Sequence, residues 1–339
     1  LSLYNHDTDR YYQQLSQERV VERARKLAPL RRLRRSADPL VDICMEIDGR
    51  GRVTKNCLGV LDLAWQAARH PEWAGMIHGE IEQIRAAIRA AHGVELRYLI
   101  WAGMGGSAED KKMYEACGLL KGSVSVYILD STDPAKLAGI LAGMTRGGKR
   151  LERALRQTLV VGMAMGMTSY EPVVNLEKLH LLFRKHKIPS QANFLYMTLP
   201  GSLLDRFAGP RGYRRVELQP DNDNTVAGRH SGPLTRGSLY PLALNGVNLD
   251  AWIGATALSE AEVDAALRLA AFLHGNGVQS RDKVILLLPP EWRGAGVWTK
   301  QDFEESLGKS EQLGIKIFPG LEPGPGRVFW AVQVRGCHN

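Results

Sequence analysis

Gly103, Gly105 and Gly106 close an apolar run, and Ser107 follows them with a small hydroxyl. Glycines let a backbone turn sharply and leave N–H groups free to face an anion. A helix starting at such a turn adds the positive end of its dipole. Residue types and spacing in Leu99–Ala108, LIWAGMGGSA, therefore predict a cradle for a phosphate or a similar oxyanion. The four cysteines carry no comparable signal. Cys44, Cys57, Cys117 and Cys337 are scattered, without a CxxC pair or zinc spacing, so no metal site is expected.

The turn needs elements to hold it. Ile81, Ile84 and Ile88 recur at helical spacing, with Gly93 where a C-cap belongs. Strands are expected over Leu96–Ile100, Val124–Leu129, Leu159–Val161 and Phe194–Thr198, and a helix over about Glu109 to Leu120. Strands alternating with helices imply βαβ units and a parallel sheet whose ligands gather at the carboxyl ends of the strands. The pattern then repeats. A strand is expected at Arg215–Leu218, helices near Leu234–Leu244 and over Glu260–Leu273, and a strongly apolar strand at Lys283–Leu288. A helix follows over Gln301–Leu313, then strands at Ile315–Phe318 and Val328–Val334. The fold class is α/β: two tandem parallel-sheet α/β sandwich domains, 57–205 and 206–339, behind a basic, mostly helical extension, 1–56.

Two ligands compete for the turn. Gly103, Gly105 and Ala108 fit GxGxxG/A, and Asp130 ends the second strand about where a dinucleotide domain places its ribose acid. That reading gives an NAD-dependent oxidoreductase. The other reading uses more of the chain. GMGGS, LDSTDPA, SYEP, GRHS, RDKVILLL, ESLGK and RVFWAVQV, in that order, resemble the glucose-6-phosphate isomerase family of sugar-isomerase domains. The likeness is to the short isomerase fused to transaldolase in some bacteria, and it covers roughly residues 57–335.

The resemblance implies aldose–ketose isomerisation of a hexose 6-phosphate through an enediolate, with no cofactor. A carboxylate must take a proton from one carbon and return it to its neighbour, while a cation steadies the enediolate. Glu305 falls on the family's general base and Arg229 on the stabilising arginine. Gly106 and Ser107 would line the sugar-phosphate pocket, Thr168 and Ser169 match the phosphate loop, and Gln301 matches a substrate-contacting glutamine.

The match has gaps. The family's phosphate loop reads like SSKSGTT, where this chain has Met163–Ser169, MAMGMTS, with Ala164 and Met165 in place of serine and lysine. Glu109 and Asp110 follow the glycine turn, where they suit a helix dipole better than a phosphate. After Lys309 only His338 and Lys316 offer ring-opening chemistry, outside any matching motif. These losses support an alternative from another class: a catalytically degenerate homologue serving as a scaffold or binding subunit in a larger assembly, as a homodimer or with other proteins.

Charge adds one feature. The formal net charge is +8, of which residues 19–35 carry +7, from eight Arg and Lys against the single Glu22. The basicity is therefore a local arm, suited to an acidic partner or RNA, or else a solvated helix and linker. No stretch is apolar enough to span a membrane. The composition predicts a cytoplasmic protein; the start at Leu1 hints at a processed terminus and keeps an organellar location open.

Overall fold

In a computed structural model, residues 13–14, 44–47, 53–57, 60–164, 166–222, 229–277, 282–307, 314–320 and 330–333 are described. The chain divides into two compact units: Arg31–Lys112 with Leu119–Gly254, and Leu1–Leu30 with Met113–Gly118 and Ala255–Asn339.

The first unit opens with two short strands, β1 (Cys44–Ile47) and β2 (Val53–Cys57), paired antiparallel. This hairpin stands at the end of the extension expected over 1–56; of the helix expected over about Asp9 to Leu27, Gln13 and Gln14 are helical and the rest lies outside the described residues. Helices α1 (Val60–Ala67) and α2 (Glu72–His92) follow. Helix α2 buries Ile77, Ile81, Ile84 and Ile88 on one face and ends at Gly93, whose φ is 65°. That left-handed residue lets the Gly93 amide return to the Arg89 carbonyl at 2.8 Å.

The unit's sheet is built from β3 (Tyr98–Ala102), β4 (Ser125–Leu129), β5 (Thr158–Ala164), β6 (Phe194–Thr198) and β7 (Arg214–Arg215). Its order is β4-β3-β5-β6-β7, all parallel. Strands β3, β5 and β6 are buried at every residue. Such continuous apolar runs belong to a parallel sheet covered on both faces. The intervening helices are α3 (Gly106–Ala116), α4 (Pro134–Met144), α5 (Leu151–Arg156), α6 (Glu171–Lys185) and α7 (Leu203–Ala208). Ile100, Val160, Phe194 and Tyr196 share one core with Met144, Leu176 and Phe183 from these helices. Leu99 and Trp101 point to the opposite face and are equally buried.

Strand β7 departs from expectation. Arg215–Leu218 reads as the start of a second sandwich, but only Arg214 and Arg215 pair, and they pair with Leu195 and Tyr196 at the edge of this sheet. A 3-10 turn (Arg229–Leu234), α8 (Arg236–Leu244) and α9 (Leu249–Gly254) complete the unit.

The second unit holds α10 (Glu260–Gly277), β8 (Lys283–Leu287), α11 (Ala295–Gln301), a π-helical stretch (Asp302–Leu307), β9 (Lys316–Pro319) and β10 (Trp330–Gln333). Its three strands are parallel in the order β10-β8-β9. Val284, Leu286 and Ile317 form its core, with Leu273 and Phe303 packed against them. Among the described residues, no helix is long and apolar enough to cross a membrane.

Candidate functional site

The order of the first sheet fixes where a ligand site belongs. From β3 the chain moves outward to β4, then crosses back to β5 on the other side of β3. Ligands of open α/β sheets bind beyond the carboxyl ends of the two strands where the order reverses. Here those ends are Ala102 and Ala164. The segments that leave them are the glycine turn and the loop holding Thr168 and Ser169.

The turn is held from within. Gly105 has φ of 54°, a conformation that favours glycine. Gly103 is needed for space, since a Cβ there would lie 2.7 Å from the Ser107 hydroxyl and 2.9 Å from its carbonyl oxygen. Ser107 is buried. Its Oγ donates to the Met104 carbonyl and accepts from the Met104 amide, both at 2.8 Å. The amides of Ser107, Ala108 and Glu109 donate to the carbonyls of Met104 and Gly105. Ser107 thus shapes the turn with its side chain, and Gly106 opens α3 with its backbone.

The second loop is anchored at one carbonyl. The Leu203 amide, at the start of α7, donates to Met167 O at 3.0 Å. Thr168 is exposed and Ser169 half-buried. Tyr170 follows at 60% exposure, at the N-cap of α6 and without a capping side chain. Met163 and Ala164 are buried inside β5, so they belong to the sheet rather than to a loop surface. Met165 lies outside the described residues.

Glu305 sits in the second unit, on the π-helical stretch that follows α11. The sequence predicts one helix over Gln301–Leu313; instead the α-winding ends at Gln301, and 308–313 lie outside the described residues. Single π-turns are rare and are often found at functional sites. The two adjacent glutamates have different surroundings. Glu304 accepts from Lys300 Nζ at 2.5 Å and from the Ile317 amide at 3.0 Å, tying the π-turn to β9. Burial pushes the Glu304 carboxyl up, but these two hydrogen bonds and the nearby lysines outweigh it and hold it below its ordinary value. Glu305 is exposed and accepts from Gln301 Nε2 at 2.9 Å. Among the described residues, the buried Gln301 Oε1 atom has no hydrogen-bond partner. Arg229 opens the 3-10 turn before α8; its side chain is not among the described parts, nor are Ser306, Leu307, Gly308 and Lys309.

Two sets of charges were not anticipated as they stand. Asp110, expected to serve the α3 dipole, is buried with Lys111, and the two are 2.8 Å apart. Ser238 of α8 donates to the same carboxylate at 2.5 Å. Asp130, the acid a dinucleotide would need for its ribose, is held by Lys112 at 2.5 Å and Lys136 at 3.1 Å.

Comparison with known proteins bears on the family. No protein-family model matches the chain. A glucose-6-phosphate isomerase of Synechococcus sp. (strain JA-3-3Ab) is 32% identical over 245 residues, covering 69% of this chain and 44% of the relative. Another, from Synechococcus sp. (strain JA-2-3B'a(2-13)), is 30% identical over 275 residues, covering 76% and 50%. The chain is related to the glucose-6-phosphate isomerase family. It spans about half the length of the curated relatives it matches. The fold agrees with that of a glucose-6-phosphate isomerase from Chlamydia trachomatis D/UW-3/Cx, with a TM-score of 0.65 at 18% identity over 98% of this chain and 62% of that one. A hypothetical protein from Thermus thermophilus has a TM-score of 0.56 at 22% identity, covering 77% and 65%. This glucose-6-phosphate isomerase relative is α/β, and both of its larger sheets are parallel.

Proposed function

We propose that this protein isomerises a hexose 6-phosphate between its aldose and ketose forms through an enediolate. The observation that carries the reading is the pairing of the glycine turn and the Thr168–Ser169 loop at the switch point of the first sheet. That crevice is where such a fold takes an anionic ligand. The relationship to that family supplies the reaction class.

In this reading the phosphate is held by backbone N–H groups near Gly106 and by the hydroxyls of Thr168 and Ser169, with Ser107 fixing the turn. Glu305 carries the proton between the two carbons, because its neighbour Glu304 is committed to Lys300 and the Ile317 amide. Arg229 steadies the enediolate, and Gln301 orients both Glu305 and the substrate. Ala164 cannot contribute a polar contact from inside β5. Each charge-assisted hydrogen bond lost there weakens phosphate binding by on the order of 1.5–3 kcal/mol. A high KM for fructose 6-phosphate follows.

The test is turnover of fructose 6-phosphate by the purified chain and its loss in Glu305→Gln. Absence of turnover, with no thermal shift at millimolar sugar phosphate, would overturn the enzyme reading and favour the degenerate scaffold.

A further inference from the structure

Asp110 and Lys111 are neighbours in α3, and both are withdrawn from solvent, at 1% and 0% exposure. The pair joins consecutive residues rather than residues one turn apart, so it contributes little to the winding of α3 itself. Taking two charges out of water is costly, and an apolar pair of similar volume is often as stable or more so. Stability alone does not account for these two residues.

Their other contacts run in two directions. Toward β3, Lys111 Nζ lies 4.5 Å from the centre of the Trp101 ring. Trp101 Nε1 in turn donates to the Ser107 carbonyl at 2.8 Å. Toward α8, Ser238 Oγ donates to Asp110 Oδ2. A Cβ on Gly232 would stand 3.5 Å from that same oxygen. Gly232 belongs to the 3-10 turn that begins at Arg229, and Thr235 Oγ1 donates to its carbonyl at 2.8 Å. One buried carboxylate therefore joins the helix that opens at the glycine turn to α8, the helix that directly follows the turn of Arg229.

We propose that Asp110 is a positioning residue, which fixes the Arg229 segment against the glycine-turn helix by accepting from Ser238, while Lys111 balances the charge that this acceptor brings inside. Its effect on rate rests on the isomerase reading; its effect on the two segments does not. The acceptor does the positioning and the charge is incidental to it.

Two double variants separate acceptor from charge. Asp110→Asn with Lys111→Met keeps an oxygen for Ser238 and removes both charges. Asp110→Leu with Lys111→Met removes the oxygen as well. The first is expected to turn over fructose 6-phosphate near the wild-type rate. The second is expected to lose about tenfold in kcat with little change in KM, although both melt at or above the wild-type temperature. Hydrogen exchange supplies a readout that needs no activity. In Ser238→Ala without substrate, amides over 103–109 and 229–236 are expected to exchange about tenfold faster, while those of β6 stay unchanged. Equal rates for the two double variants, or exchange in Ser238→Ala that is unaltered or uniformly raised, would overturn the proposal. If the wild-type chain turns over no sugar phosphate, the isomerase reading fails, and the exchange result alone decides this one.

Discussion

The indole Nε1 of Trp101 donates to the backbone carbonyl of Ser107 at 2.8 Å, so the strand that enters the glycine turn also grips the helix that leaves it. Both residues are buried, and the carbonyl cannot turn to water for a replacement. Trp101→Phe removes the donor and part of the ring. The expected loss is about 2–4 kcal/mol, from a lost buried hydrogen bond plus lost packing. A urea titration followed by circular dichroism measures it.

Gly103→Ala tests the turn from the other side. The new methyl would meet Ser107 Oγ at 2.7 Å and the Ser107 carbonyl oxygen at 2.9 Å. Backbone cannot yield as a flexible side-chain tip can. Overpacking of this kind costs about 1–3 kcal/mol. The thermal midpoint is expected to fall, and any stabilisation by added sugar phosphate to shrink with it, because the displaced atoms belong to the turn proposed to hold the phosphate.

Lys111→Met alone should be far worse than the same change made together with Asp110→Leu. The single variant leaves the Asp110 carboxylate buried with neutral donors, the Ser238 hydroxyl and the backbone amide of residue 111, in place of the ammonium. Breaking a buried pair by removing one member costs about 3–5 kcal/mol, whereas replacing both is often neutral. Burial already pushes the Lys111 ammonium below its ordinary pKa, against the pull of Asp110. Equal denaturation midpoints for the single and double variants would contradict this account.

Much of this fold was legible in the sequence, for physical reasons that differ by element. Strand β6 was expected at Phe194–Thr198 and forms there, because a fully covered parallel strand reads as an unbroken apolar run. The isoleucines of α2 declared their face by spacing alone. The hairpin of β1 and β2 was missed because CMEI and VTKNC mix charge with apolar residues and sit beside the basic arm. Strand β7 was misplaced because its local pattern carries no record of which sheet supplies the partner. The glycine turn was readable as a sharp bend between an apolar strand and a helix, yet the inward role of the Ser107 hydroxyl was not. Asp110 and Lys111 looked like solvated charge, since what buries them includes Ser238, distant in sequence. The different surroundings of Glu304 and Glu305 likewise depend on the Ile317 amide.

Asp130 gives the acid side of the stability curve a specific contributor. Burial pushes its carboxyl up, but the hydrogen bonds and charges of Lys112 and Lys136 outweigh this and hold it below its ordinary value. A carboxyl depressed in the folded state contributes stability that is complete above the ordinary aspartate range. That contribution is lost as the pH falls through the lower, folded value. Asp130→Asn should therefore be less stable than wild type at neutral pH, and the gap should close in strong acid. The gap at neutral pH should also narrow in high salt, since the lysines are partly exposed. Urea midpoints at neutral and acid pH measure both effects; a gap that widens in acid would assign Asp130 another role.

Glu305→Gln carries the sharpest expectation for the chemistry. The side chain is exposed, so its replacement should change stability by no more than about 0.5 kcal/mol. Gln301 Nε2 now donates to the Glu305 carboxylate, and it retains an oxygen acceptor in the amide. What the variant loses is a group able to accept and return a proton. General-base catalysis contributes about 10²- to 10⁴-fold, and turnover of fructose 6-phosphate should fall by that factor with KM little changed. Glu304→Gln is the control with the opposite signature. Its carboxylate bridges Lys300 and the Ile317 amide, so that variant should lose stability in the π-turn and β9 rather than the proton-transfer step. Turnover that survives Glu305→Gln but not Glu304→Gln would move the base one residue back along the chain.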